Sequence, residues 1–340
     1  MIRHTHWLVL AMSGLVLCAA AYFFWHTSSD YSGLESNPNT IIEFAVGDEP
    51  ITPIPLDLKL DKRKVSLGRR LFHDSKLSHD NKISCAHCHN LSKGGMDGLP
   101  RAIGIDGVPG VINTLTVFNS GFNFRLFWDG RSATLEDQLD LLLQRPMATT
   151  WPEVISKLEL DAVYRRDFSA IYPQGIQPAS IKDAIATFER SLITPNAKFD
   201  RYLRGDKQAL DRDELAGYEL FKSLGCISCH QGMNVGGNMY EKLGLVANYF
   251  ARNGPAREVD FGRYNLSKTE QHRYEFRVPS LRNVALTAPY FHDGSASTLE
   301  KAVATMAKYQ LGVVLQDGEI VKLVKFLNTL TGVYPGETGE

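Results

Sequence analysis

The 340-residue chain has almost no net charge: 37 lysines and arginines face 38 aspartates and glutamates, a formal charge of −1. No basic block occurs along it, so the electrostatic footprint of a nucleic-acid binder is missing and nucleic acid is not expected as a partner. Cysteine is scarce, five residues in all, and a chain this long closes a hydrophobic core without staples, which excludes a small disulfide-bonded scaffold. Long apolar runs are rarer still. Residues 7–25, WLVLAMSGLVLCAAAYFFW, make one, and a single such run rules out a multi-span membrane protein. Sustained apolar–polar alternation does not stand out either, so strands contribute little and the expected class is mainly α.

The apolar run is long enough to span a bilayer, and Arg3 before it places the short N-terminal end in the cytoplasm and the remainder outside. Ala19 and Ala21 form a small-residue cleavage pattern, whereas the large residues Tyr22 to Trp25 beyond it suit an uncleaved anchor. Residues 1–27 are therefore an anchor, or else a signal peptide that leaves a soluble protein. Either way the body of the chain is exported to the periplasm.

Cys18 lies inside that run. The other four cysteines form two copies of one pattern, Cys85-Ala86-His87-Cys88-His89 and Cys226-Ile227-Ser228-Cys229-His230. C-x-x-C-H is the attachment motif of c-type haem: two thiols add to the porphyrin vinyl groups, and the adjoining histidine ligates the iron. A zinc site would need four ligands around one ion, yet the pairs are 141 residues apart and each carries its own histidine. A dithiol has no use for that histidine. Two covalently bound haem c groups are expected, on Cys85, Cys88 and His89 and on Cys226, Cys229 and His230.

The length allows about two domains of roughly 100–200 residues each. Residues 28–55 are polar and contain proline and asparagine, as a linker does. Helical periodicity starts near Leu56 with KRKVSLGRRLF and returns at 134–144, 151–158 and 179–192. Thr194-Pro195-Asn196 is a boundary, because proline disfavours helix at the residue before it and FDRYLRGDKQAL opens a new helical pattern. One haem per domain follows, with domains at 56–195 and 196–340. Ser297-Thr298-Leu299-Glu300 reads as a capping box before a helix whose apolar stripe, Leu299, Val303 and Met306, on its own is core packing.

Together with the two haem motifs, CHNLSKGGMDGLP (88–100), TVFN followed by FWDGR (116–131) and VPSLRNVALTAPYFHDG (278–294) resemble the bacterial di-haem cytochrome c peroxidases and their MauG-type relatives, over residues 56–332. The resemblance implies two cytochrome c-like helical domains packed together with calcium between them. It also implies reduction of hydrogen peroxide to water by electrons from a small periplasmic protein, a cytochrome c or cupredoxin, with quinol as a further donor. The family often dimerises, so a homodimer is expected too. Residue by residue, Met306 becomes the second axial ligand of the His230 haem, Trp128 lies between the haems, and Gln138 is the distal glutamine of the His89 haem. Asn113, Thr287 and Pro289 fall on calcium-contacting positions. His87, His272 and His292 are assigned to no iron, His292 being a polar neighbour of the second haem.

The sequence departs from the family in two places. The distal histidine that closes the first haem is replaced by Ile105, which cannot ligate, so that haem is expected to be open, as in MauG. The catalytic glutamate falls on Pro146 or Ala148, neither of which moves a proton. Glu136, Asp140 and Glu153 are the nearby acids that remain as substitutes. A MauG-like oxidase acting on a partner protein, or a non-enzymatic di-haem carrier or sensor, are the alternatives to a peroxidase.

Overall fold

The computed structural model describes residues 49–105 and 107–337. The apolar run 7–25 and most of the expected linker lie outside the described residues, and among the described residues no helix is long and apolar enough to cross a membrane.

Nine helices of six or more residues carry this region: α1 Lys62–His73, α2 Leu135–Gln144, α3 Trp151–Glu159, α4 Ala162–Ile171, α5 Pro178–Ser191, α6 Lys198–Leu203, α7 Arg212–Ser223, α8 Leu299–Met306 and α9 Asp317–Asn328. Their starts are written locally. Asp61 caps α1 by accepting from Arg63 N, Thr134 caps α2, Pro178 occupies the first turn of α5, and Asp211 and Glu214 form a reciprocal capping box on α7. Helix α8 is capped one residue later than expected, by Thr298 accepting from Lys301 N. A two-stranded antiparallel ribbon, β1 Tyr240–Lys242 and β2 Glu275–Arg277, is the one sheet among the described residues.

Two helix crossings organise the packing, and both depend on a glycine. On α1, Gly68 lies against α5 so closely that a Cβ would overlap the carbonyl of Ala184. On α7, Gly217 lies against α9 in the same way, and a Cβ would overlap the carbonyl of Lys322. Each crossing anchors its own hydrophobic cluster. One gathers Leu67, Leu71, Leu139, Val154, Phe168 and Ile181; the other gathers Phe199, Tyr218, Phe221, Leu323, Phe326 and Leu330. A haem motif follows each glycine-bearing helix, at Cys85 after α1 and at Cys226 after α7.

Residues 49–55, expected to be the end of a tether, are packed: Ile51 and Ile54 are buried, Ile51 within the second cluster, and Arg282 donates to Thr52 O. Their apolar residues, spaced among prolines, fit a groove that periodicity does not reveal. Conversely, Tyr334 near the C-terminus packs with Phe72, Phe118 and Phe188 beside the first crossing.

Candidate functional site

Two residues beyond the end of α7, Gly225, with a φ of 87°, turns the chain into the short helical turn Cys226–Ser228. That turn faces a cavity of ≈ 240 Å³ lined by Cys226, Cys229 and His230. Met306, the last residue of α8, lines the same cavity, immediately before a π-helical turn at Ala307–Leu311 of the kind that interrupts helices at functional sites. Trp128, Asn113, Thr287 and Pro289 line it too. The structure thus brings together eight of the predicted residues from segments spread over nearly 200 positions.

Burial lowers the His230 pKa to about 4, so the imidazole is neutral, the form that binds a metal, and its Nδ1 is buried without a hydrogen-bond partner. Burial also pushes the Cys226 thiol up to about 11 and Cys85 up to about 12. No group of three or more metal-ligating His, Cys, Asp or Glu side chains forms among the described residues, so neither cysteine pair has the converging ligands of a structural zinc site. A largely apolar cavity with two thiols, a neutral histidine and a thioether fits a covalently attached haem. Arg277, at the end of β2, also lines it. This guanidinium is buried, donates to Phe127 O and Asn123 Oδ1, and has no carboxylate partner among the described residues. Desolvation pulls its pKa down to about 10. A buried cation lacking an anion suits the propionates of a haem.

Trp128 is held at both ends. Its Nε1 donates to Asn113 O at 2.9 Å, its own carbonyl accepts from Arg277 N at 2.9 Å, and its ring meets His292 edge-on at 6.3 Å. His292 is buried, its Nε2 2.9 Å from Asp260 Oδ1, and it lines the cavity. Asn113 Nδ2 donates to Leu99 O, which fixes the amide and leaves Oδ1 as its acceptor.

At the first motif, Cys85–Cys88 forms a single helical turn and His89 Nδ1 lies 3.2 Å from Gly95 O; a proton held there leaves Nε2 as the ligating atom. Cys85 packs against both the first cluster and the Phe72–Phe188 cluster. Ile105 packs against the first cluster as well, alongside Trp151 and Leu142. Ala148 is exposed, with a φ of 50°.

The three substitute acids are all occupied. Glu136 is gripped by both terminal nitrogens of Arg190 at 2.7 and 2.9 Å. Asp140 pairs with Lys182 and accepts from Trp151 Nε1. Glu153 takes hydrogen bonds from Lys157, His79 and Thr149 that hold its carboxyl down at about 2. Asp140, its carboxyl held below the ordinary range by Lys182 and Trp151 against desolvation, and Glu153 are thus not suited to exchanging a proton near neutral pH. The acid that does meet Gln138 is one the sequence reading passed over: Glu189, buried on α5, whose Oε2 accepts from Gln138 Nε2 at 2.9 Å. Burial raises its carboxyl to about 8.

With this geometry in place, comparison with known proteins gives a consistent result. Residues 62–208 match the family model described as di-haem cytochrome c peroxidase. The chain is 44% identical over 292 residues to cytochrome c551 peroxidase of Nitrosomonas europaea, covering 85% of this chain and 86% of that protein. The chain belongs to the di-haem cytochrome c peroxidase family. It is also 47% identical over 290 residues to cytochrome c peroxidase Ccp of Escherichia coli, covering 84% of this chain and 62% of that longer protein. Among solved structures, a MauG-like protein associated with microbial copper homeostasis shares the fold at a TM-score of 0.71 and 29% identity, covering 83% of this chain and 93% of that one.

Membership of the di-haem cytochrome c peroxidase family implies two haem c groups, and both C-x-x-C-H turns fit them. Glu189 and Arg277 are the residues that motif reading missed. A glutamate within a helix and an arginine in a two-stranded ribbon carry no sequence signal, because their meaning lies in what they are buried against.

Proposed function

We propose that the protein is an exported di-haem peroxidase that reduces hydrogen peroxide to water, with electrons from a small redox protein entering at the Cys226/Cys229 haem and used at the Cys85/Cys88 haem. The observation that carries this reading is the convergence of His230, Met306 and Trp128 on one cavity. When bound, the haems supply electron storage at one centre and peroxide binding at the other. A histidine–thioether ligand pair closes the second centre and raises its potential, which suits storage. Trp128, fixed at ring and backbone, would carry electrons between the two centres. At the first centre His89 is the strong ligand, Ile105 offers none, and Gln138 supplies the hydrogen-bonding amide. A calcium ion would take Asn113 Oδ1 and the carbonyls of Thr287 and Pro289, hard oxygen donors that share the cavity wall. The protein would act in the periplasm, held at the membrane by residues 7–25 or released by cleavage, and as a homodimer.

The test is turnover of hydrogen peroxide by the holoprotein with a reduced small cytochrome c, a cupredoxin or a quinol. A rate above that of free haem supports the proposal, and none above it sinks it. Ile105 in place of a ligating side chain favours, as a second reading, a MauG-like oxidase. Tryptophan or tyrosine oxidation in a co-purifying protein, without peroxide turnover, would select that reading.

A further inference from the structure

The first haem motif is accompanied by a buried carboxyl that takes no part in haem attachment. Glu189 is 5% exposed, and Gln138 Nε2 donates to its Oε2 at 2.9 Å. Its chain neighbour Arg190 gives both terminal nitrogens to Glu136. A carboxyl held by a neutral amide in an apolar setting is readily protonated, since burial penalises the charged form.

We propose that Glu189 is a positioning residue for Gln138, and that its proton decides which end of the Gln138 amide faces the first haem site. This rests on the reading of Gln138 as that site's distal amide. An ionised carboxylate only accepts, so it holds Nε2 towards itself and leaves Oε1 for the site. A protonated carboxyl donates its O–H to Oε1, and the amide turned over presents its N–H groups to the site instead. One hydrogen bond is kept in either state, and ionisation removes the donor that the turned-over amide needs, so the proton biases the site between donating and accepting.

The surroundings fit such a switch. Facing Glu189 are Glu136 and Gln138 from α2 and Cys85 from the first motif, while His73 of α1 meets the neighbouring Phe188 edge-on at 6.3 Å. Burial raises the carboxyl to about 8 and Glu136 pushes it the same way, against Gln138 and Arg190. Cys85, once a thioether, carries no charge.

Fluoride binding to the ferric holoprotein, followed by its visible spectrum from about pH 6 to about pH 10, tests this without turnover. Wild-type affinity should fall about five- to tenfold through a step near pH 8 as the donated N–H is withdrawn, the worth of one hydrogen bond. Hydroxide competes for the same position, so its own titration is followed in each variant without fluoride and subtracted. E189Q should lose the step, and Q138L should lose it and bind weakly at every pH. A step retained in E189Q overturns the proposal. A step lost in E189Q but kept in Q138L also overturns it, because Glu189 would then act by its charge alone. Q138L binding as wild type throughout would instead remove the distal role of Gln138 and the proposal with it. Should E189Q fail to take up haem, E189D keeps the test open: its step must move in pH, and an unmoved step overturns the assignment.

Discussion

Glu153 and Glu189 show how environment, not residue type, decides what a carboxyl can do. Glu153, half-exposed and fastened by Lys157, His79 and Thr149, stays ionised at any pH the protein meets. Glu153→Gln is therefore expected to change peroxide turnover by less than about twofold, and a loss on the order of a hundredfold, the scale of a lost general acid–base, would make it the missing group. Glu189 is the opposite case. Its folded pKa of about 8 exceeds its unfolded 4.5, so the folded state binds the extra proton. Its contribution to stability is full below about pH 4.5 and is lost as pH rises through about 8. Urea unfolding of the holoprotein should show wild type losing stability between those limits relative to E189Q; parallel curves would contradict it. The four haem cysteines and two histidines were legible from spacing, because attachment chemistry is local in the chain. Met306 is tied to the second haem only by family resemblance and by its place on the cavity wall, since its helical stripe on its own reads as core.

Helices were legible where their caps and apolar stripes were strong, as in α1, α2, α3 and α5. The ribbon was not, because three-residue strands carry too little alternation to register, and yet it is the ribbon that delivers Arg277 to the cavity. The two glycine crossings were also missed: nothing in the sequence marks Gly68 or Gly217 as the point where another helix lies against the backbone. A methyl group at either would meet a backbone carbonyl that cannot swing away. Gly68→Ala and Gly217→Ala are each expected to destabilise by about 1–3 kcal/mol or more, the usual cost of overpacking, read from thermal or urea unfolding. Unchanged stability in both would show that the helices slide apart freely. Because each crossing precedes one haem motif, each variant should also lower occupancy of its own haem first.

Across the described residues, segments far apart in the chain exchange contacts. Residues 49–55 serve the second cluster and Tyr334 serves the Phe72–Phe188 cluster, contacts joined by no local pattern. At the centre of the exchange is a fully buried ion pair, Arg282 to Asp200 at 2.7 Å, in which Arg282 also donates to Met233 O and Thr52 O and Asp200 accepts from Ile54 N. Removing one partner strands the other charge in the core. Asp200→Ala is expected to cost about 3–5 kcal/mol by urea unfolding, while a loss below about 1 kcal/mol would mean that the pair is not needed to dock residues 49–55. The chain as a whole is proposed to carry one closed and one open haem. The resting ferric holoprotein, observed by electron paramagnetic resonance with its visible spectrum, tests this most directly. One low-spin histidine–methionine haem and one high-spin haem are expected, and two low-spin haems would contradict the account by showing that another side chain closes the site beside Ile105.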